Sequence, residues 1–223
     1  MTVRAKYPDF LRRGLTTLAL ALALSGSVVA GPTVSVPLAD GFDFPVGKPN
    51  ADGYYTARGV RLVSPVHYGE DWDGRGGGDT DLGDPIYTMG DGVVTWAYDV
   101  HKGWGNVVII RHAYRDPATQ QIKFCDSLYG HLLEIMVKVG QQVKRGQQIG
   151  RMGSNNGMYP AHLHFEVRHN IAIGMLRDNV ARNFENWAVP SDFIKRYRRL
   201  NREWKSTPIP TGTYPEYEGF KGL

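Results

Sequence analysis

Histidine and aspartate recur along this chain at intervals that suit metal chemistry. They stand in His67-Tyr68-Gly69-Glu70-Asp71, in Tyr129-Gly130-His131-Leu132 and in His162-Leu163-His164-Phe165-Glu166. Imidazole nitrogens with a carboxylate oxygen are the donor set of a catalytic zinc, which takes three protein ligands and keeps a fourth position open for water. The set implies metal-assisted hydrolysis. His162 and His164 are two apart in a run of strand character. Alternation puts both on one face, roughly 6.5–7 Å apart, so that one can bind a metal while the other reaches water or a substrate oxygen. His67 and Asp71 are four apart, but Gly69 between them argues against a helix. A turn bringing both inward supplies one nitrogen and one oxygen. Glu70 and Asp73 are neighbouring carboxylates that residue type alone leaves open as ligands. The helical signature His-Glu-x-x-His is absent, which excludes a protease of that type.

The elements that must position these groups read as all-β. From Pro85 to Val167, β-branched and aromatic runs alternate with turn signals: Ile86 to Thr88, Val93 to Tyr98, Asn106 to His112, Ile122 to Tyr129, Ile135 to Val139, Gln148 to Met152 and His162 to Arg168. Asp91-Gly92 and Asn156-Gly157 mark tight turns. The glycines of Val137 to Gly150 bracket apolar residues that fold inward, as in a compact sandwich. Between Asp71 and Asp84 lies an Asp- and Gly-rich stretch whose carboxylate spacing is similar to that of calcium loops, with Arg75 where a ligand is wanted. It reads as a solvated, flexible rim loop.

Residues 31–60 form an extended lead-in that wraps the domain of residues 61–170, and residues 171–223 a C-terminal extension. There, Ser191 is expected to cap a helix whose stripe Phe193, Ile194, Tyr197, Leu200 and Trp204 docks onto the β-domain. Lys195, Arg196, Arg198, Arg199 and Arg202 leave a solvated basic face, and Thr207 to Leu223 read as loosely ordered.

Residues 1–30 read as an export signal, with a basic start at Arg4, Lys6, Arg12 and Arg13, an apolar stretch from Leu15 to Leu24 and a small-residue cut site ending at Ala30. Removing them lowers the formal charge from +4 to +1, so the basicity of the chain resides mostly in the signal and a nucleic-acid footprint is not expected. The expected location is periplasm, cell envelope or exterior, with no stable membrane insertion after cleavage. Cys125 is the only cysteine, which excludes an internal disulfide.

His67-x-Gly69-x-Asp71, Tyr129-Gly130-His131-Leu132 and His162-x-His164-Phe165-Glu166, in this order, resemble the lysostaphin/LytM-type zinc metalloendopeptidases over roughly His67 to Arg168. The resemblance implies a sandwich-like antiparallel β peptidase domain of the duplicated hybrid motif type. It implies one zinc ion held by His67, Asp71 and His164, with His131 and His162 flanking the reacting water and carbonyl oxygen. It also implies peptidoglycan peptides, stem cross-links or bridges, as substrate. Either of the two histidines can take the water's proton while the other bonds the oxyanion. The chain departs from the family at Met158-Tyr159-Pro160-Ala161, where Ser-Thr-Gly-Pro is usual, and at the inserted Gly76-Gly77-Gly78; both border the substrate groove. His101, His112 and His169 match no functional position. A protein activator is a further possible partner. The competing reading is a metal-free regulator that binds cell-wall hydrolases, a role for which family members have typically lost ligands.

Overall fold

The computed structural model describes residues 32–217; the export signal expected over residues 1–30 lies outside them. The strands are β1 (Thr33–Pro37), β2 (Tyr54–Arg58), β3 (Glu70–Gly74), β4 (Pro85–Tyr87), β5 (Gly92–Asp99), β6 (Asn106–Arg115), β7 (Ile122–Leu132), β8 (Glu134–Ile135), β9 (Gln142–Val143), β10 (Gln148–Arg151), β11 (Leu163–Arg168) and β12 (Trp187–Ala188). A short helix α1 (Pro190–Arg196) and strand β13 (Ser206–Pro210) follow. Among the described residues an antiparallel eight-stranded sheet runs β2-β3-β11-β7-β6-β5-β9, with β12 beside β11. A three-stranded sheet, β4-β10-β8, and a two-stranded one, β1-β13, complete the mainly β fold.

Alternation sorts the large sheet into two faces. Val108, Ile110, Tyr129, Leu163, Phe165 and Val167 face the main core, where Ile86 and Ile149 of the small sheet and Phe193, Ile194 and Tyr197 of the α1 region meet them. Val107, Ile109 and Leu128 face the other way and pack with Met175 and Trp104. His164 and Glu166 alternate with Leu163, Phe165 and Val167, so they fall on this outer face. The buried polar residues of β11 are therefore a consequence of register, not an interruption of the core.

The C-terminal expectations need correction. The helix stops at Arg196, so Phe193, Ile194 and Tyr197 are buried as the stripe required, while Trp204 is 89% exposed and off the helix. Tertiary bonds end it: Leu200 N donates to Asp40 O at 2.9 Å, and the Arg145 guanidinium donates to Arg198 O at 3.0 Å. Ser191 is not the cap. Val189 holds that position and Pro190 opens the helix, where a missing N–H is harmless. Glu70 of β3 acts instead, accepting from Ser191 N at 3.1 Å and Ser191 Oγ at 2.7 Å. Part of the tail expected to be loose is the strand β13, paired with β1 from Thr33↔Pro210 to Pro37↔Ser206. The rim loop is also less free than its composition suggested. Gly76 to Gly78 are exposed, but Asp81 is buried and accepts from Gly74 N at 2.8 Å, and Asp79 accepts from Ala161 N at 2.7 Å.

Candidate metal centre

Four adjacent strands put one row of residues across the large sheet. Arg58 of β2 pairs with Asp71 of β3, Asp71 with His164 of β11, and His164 with Gly130 of β7. Directly paired residues have Cβ atoms about 5 Å apart, so the strand register alone brings Asp71 to His164. Glycine is needed at two points beside this row. A Cβ on Gly69 would stand 2.4 Å from Phe165 O, so the turn leading to Asp71 can lie against β11 only without a side chain. A Cβ on Gly130 would stand 3.3 Å from the Trp104 ring, which occupies that space over His164. His67 comes in from a loop closed by two backbone bonds of 2.7 Å between Arg61 and His67.

The donor atoms converge. Asp71 Oδ1 lies 3.0 Å from His67 Nε2 and 2.9 Å from His164 Nδ1, and the two nitrogens lie 3.1 Å apart. The outer nitrogen of each ring is already engaged: His67 Nδ1 donates to Gly59 O at 2.9 Å, and His164 Nε2 donates to Glu166 Oε1 at 2.9 Å. In their neutral forms both rings therefore turn lone pairs toward one point beside a carboxylate oxygen. A cation at that point satisfies all three, and nitrogen and oxygen donors of this kind suit zinc.

Electrostatics keep the two carboxylates of the cluster ionised. Burial would raise the Asp71 pKa, but hydrogen bonds from His164 and His67 outweigh it and hold the carboxyl well below the usual range. Burial would lower that of His164, yet its bonds to Asp71 and Glu166 leave it raised. Glu166 is fully buried and remains a carboxylate because Arg168, with Nε at 2.7 Å, and His164 outweigh its desolvation. Trp187 Nε1 also donates to Glu166 at 3.2 Å.

The other two predicted histidines border the same cleft of about 590 Å³. His131 has a left-handed backbone, φ 62°, uncommon outside glycine. Its N–H at 3.1 Å and its Nδ1 at 3.2 Å both donate to Trp104 O, which holds Nε2 toward the cleft. Burial, and after it the neighbouring His164 and His162, push its pKa down to about 3. His162 Nδ1 donates to Pro160 O at 2.8 Å, and its Nε2 stands 3.9 Å from Asp71 Oδ1. The His131 and His162 rings are 4.8 Å apart. The fold thus brings together all five residues singled out in the sequence.

Glu70 and Asp73, left open as ligands, point elsewhere: Glu70 to Ser191 and Trp72 Nε1, Asp73 to Tyr55. His112 is buried against Ser127 and Asp91, His101 pairs with Asp99, and His169 packs on Phe193. Sequence reasoning gave no role to Glu166, Trp104 or Arg177. Glu166 was findable, since it follows His164 by one strand period and shares its face. Trp104 and Arg177 carried no local signal, because they reach the cleft from separate loops.

Residues 66–174 match peptidase family M23. The chain is 41% identical over 86 residues to peptidoglycan DD-endopeptidase ShyA of Vibrio cholerae, a stretch covering 39% of this chain and 18% of ShyA. It is 33% identical over 129 residues to murein hydrolase activator EnvC of Escherichia coli, covering 55% of this chain and 27% of EnvC. It therefore spans only about a fifth to a quarter of the length of these two relatives. Among solved structures, the SpoIIQ-SpoIIIAH pore-forming complex shares the fold, with a TM-score of 0.50 and 18% identity over 71% of this chain and 93% of that one. By the order of its three histidine motifs, the sandwich that positions them and the matched residues, the domain over residues 66–174 belongs to peptidase family M23, the lysostaphin/LytM type.

Proposed function

We propose that this chain is an exported zinc metalloendopeptidase that hydrolyses peptide bonds in the stem cross-links or bridges of peptidoglycan. The observation that carries the proposal is the convergence of His67 Nε2, Asp71 Oδ1 and His164 Nδ1 with both outer ring nitrogens engaged. These three residues would hold one zinc ion. Bound there, zinc polarises a carbonyl and lowers the pKa of water toward neutrality.

The remaining work falls to side chains of the chain. His131 is neutral at physiological pH, and its Nδ1–H bond to Trp104 O leaves the Nε2 lone pair facing the cleft as a proton acceptor. His162 stands across from it with Nε2 also turned inward, placed to hydrogen-bond the substrate carbonyl oxygen once protonated or to pass the proton to the leaving amine. Burial of Glu166 against Arg168 and Trp187 keeps the His164 ring from rotating. The substrate class is supported by the family and by the name of ShyA. Export is supported by the composition of residues 1–30, and among the described residues no helix is long and apolar enough to cross a membrane.

A second reading, a regulator of cell-wall hydrolases, is favoured by the similarity to EnvC, whose name is that of an activator. Digestion of purified peptidoglycan, with released fragments identified by mass spectrometry, separates the two. New peptide termini that disappear with a chelator and return with zinc are expected. An intact polymer, with stimulation of a separate hydrolase, would favour the regulator.

A further inference from the structure

The connection from β3 to β4 starts at the strand that supplies Asp71 and then reaches the segment that precedes His162. There Asp79 Oδ1 accepts a hydrogen bond from Ala161 N at 2.7 Å. Ala161 has no exposed surface, and Pro160 before it has no N–H, so this is the one backbone donor that the two residues must satisfy. The loop that carries Asp79 is itself braced. Leu82 N donates to Asp79 O at 3.1 Å, Gly74 N to Asp81 Oδ2 at 2.8 Å, and Gly83 N to Met152 O at 2.9 Å. Asp79 therefore holds Ala161 from a fixed point, although the glycines just before it are exposed.

Ala161 N–H and Pro160 C=O belong to one planar, trans peptide group, so they point in opposite directions. On its other side that carbonyl accepts from His162 Nδ1 at 2.8 Å. A carbonyl can only accept, so the bond keeps a proton on Nδ1 and, in the neutral ring, leaves the lone pair on Nε2. Asp79, the peptide and the imidazole thus form one line of hydrogen bonds, from carboxylate to N–H and from C=O to Nδ1–H. A negative charge at one end of such a line polarises the amide and strengthens its carbonyl as an acceptor. The main chain of His162 is held separately, with its N–H donating to Gly153 O at 3.2 Å. The orientation of the ring is what the peptide controls.

Resting on the hydrolase reading above, we propose that Asp79 is a positioning residue for His162. Through the Pro160–Ala161 peptide it fixes the orientation of the ring and the tautomer that carries its proton on Nδ1. The two departures of this chain from the usual family sequence meet in this one bond. With the usual Ser-Thr-Gly-Pro, position 161 has no N–H to offer. Here Ala161 has one, and the loop lengthened by Gly76-Gly77-Gly78 brings a carboxylate to it. Asp79 is not among the residues lining the cleft, so its removal acts through His162 rather than on the metal donors or on substrate binding.

The test compares the zinc-loaded full chain with its Asp79→Ala and Asp79→Asn variants on a cross-linked peptidoglycan dimer. Asp79 is exposed, so folding is not at stake. Asp79→Ala should lower kcat by about tenfold or more with KM and zinc content unchanged. Asp79→Asn, whose amide oxygen still accepts, should restore most of the loss. Histidine-selective nitrogen NMR reads the ring directly, whether or not the dimer is cut. The His162 Nδ1–H signal should be present in the wild type and in Asp79→Asn and lost to exchange in Asp79→Ala. An unchanged kcat in Asp79→Ala, or a loss that Asp79→Asn does not restore, would overturn the proposal and leave the hydrolase standing. If the wild type leaves the dimer intact, the hydrolase reading falls and the NMR signal decides. Loss confined to Asp79→Ala would uphold the hold on the His162 ring, and any other pattern would overturn it.

Discussion

At the scale of single residues, the metal-binding and proton-handling roles proposed above are separable by experiment, because the side chains assigned to them are fixed in different ways. His164 offers its lone pair to the common point of the donor cluster, whereas His131 is clamped to Trp104 O and offers Nε2 to the cleft. His164→Ala should lose both zinc and activity. His131→Ala should keep its zinc and lose about 10²–10⁴-fold in rate. Metal analysis beside a cleavage assay separates the outcomes; a His131 variant that loses its metal would belong among the ligands instead. Glu166 makes a quieter contribution. As the acceptor of the His164 Nε2 proton it selects the tautomer, so Glu166→Gln should weaken zinc binding about 10–100-fold in a competition titration with a chromophoric chelator. Unchanged affinity would mean that packing alone orients the ring. These residue types were legible in the sequence because the donor set is chemically narrow. Arg177 was not, since an arginine on a loop has no spacing that ties it to a histidine more than a hundred positions earlier.

At the scale of elements, period-two alternation explains why most strands were readable and the helix end was not. β11 carries apolar residues at every second position, and the apolar runs of β5, β6 and β7 supply both faces of the sheet. The α1 region had an equally good helical stripe, but bonds from Leu200 to Asp40 and from Arg145 to Arg198 take over after Arg196. Partners distant in sequence leave no local signature, which is also why Glu70 capping α1 from another strand could not be foreseen. The β6–β7 pair contains a pH-dependent element of its own. His112 on β6 is fully buried, bonded to Ser127 Oγ on β7 at 2.7 Å, and desolvation pushes its pKa down from 6.5 to about 4. The unfolded chain therefore takes up this proton first as pH falls. The stability that comes from keeping the ring neutral is full above pH 6.5 and is lost progressively down to about 4, at a cost of about 3 kcal/mol. Urea unfolding at pH 7 and at pH 4.5 should show a larger drop for the wild type than for His112→Asn. Equal drops would remove His112 as the cause.

At the scale of the whole molecule, the C-terminal extension connects to the cleft through buried polar groups. Arg111, with no exposed side-chain surface, donates to Asp126 at 2.7 and 2.9 Å, to Pro210 O at 2.6 Å and to Ile171 O at 2.6 Å. Tyr214 Oη donates to Asp126 at 2.7 Å. One guanidinium thus joins the large sheet, the tail strand β13 and the start of the loop that carries Arg177 and Arg182. Arg111→Met should cost about 3–5 kcal/mol, because it leaves Asp126 buried without its partner; a chemical-denaturation midpoint close to that of the wild type would contradict this. No sequence rule announced the arrangement, since an arginine inside a hydrophobic strand reads as an exception until its partners are seen. On the proposed function, one zinc ion held by His67, Asp71 and His164 makes this chain a hydrolase. The most direct measurement removes all metal from the full chain and follows cleavage of a cross-linked peptidoglycan dimer as zinc is added back in fractions of an equivalent. Activity should be absent at the start, rise in proportion and level off at one equivalent per chain. Full activity without metal, or one equivalent tightly bound with the dimer intact, would contradict it.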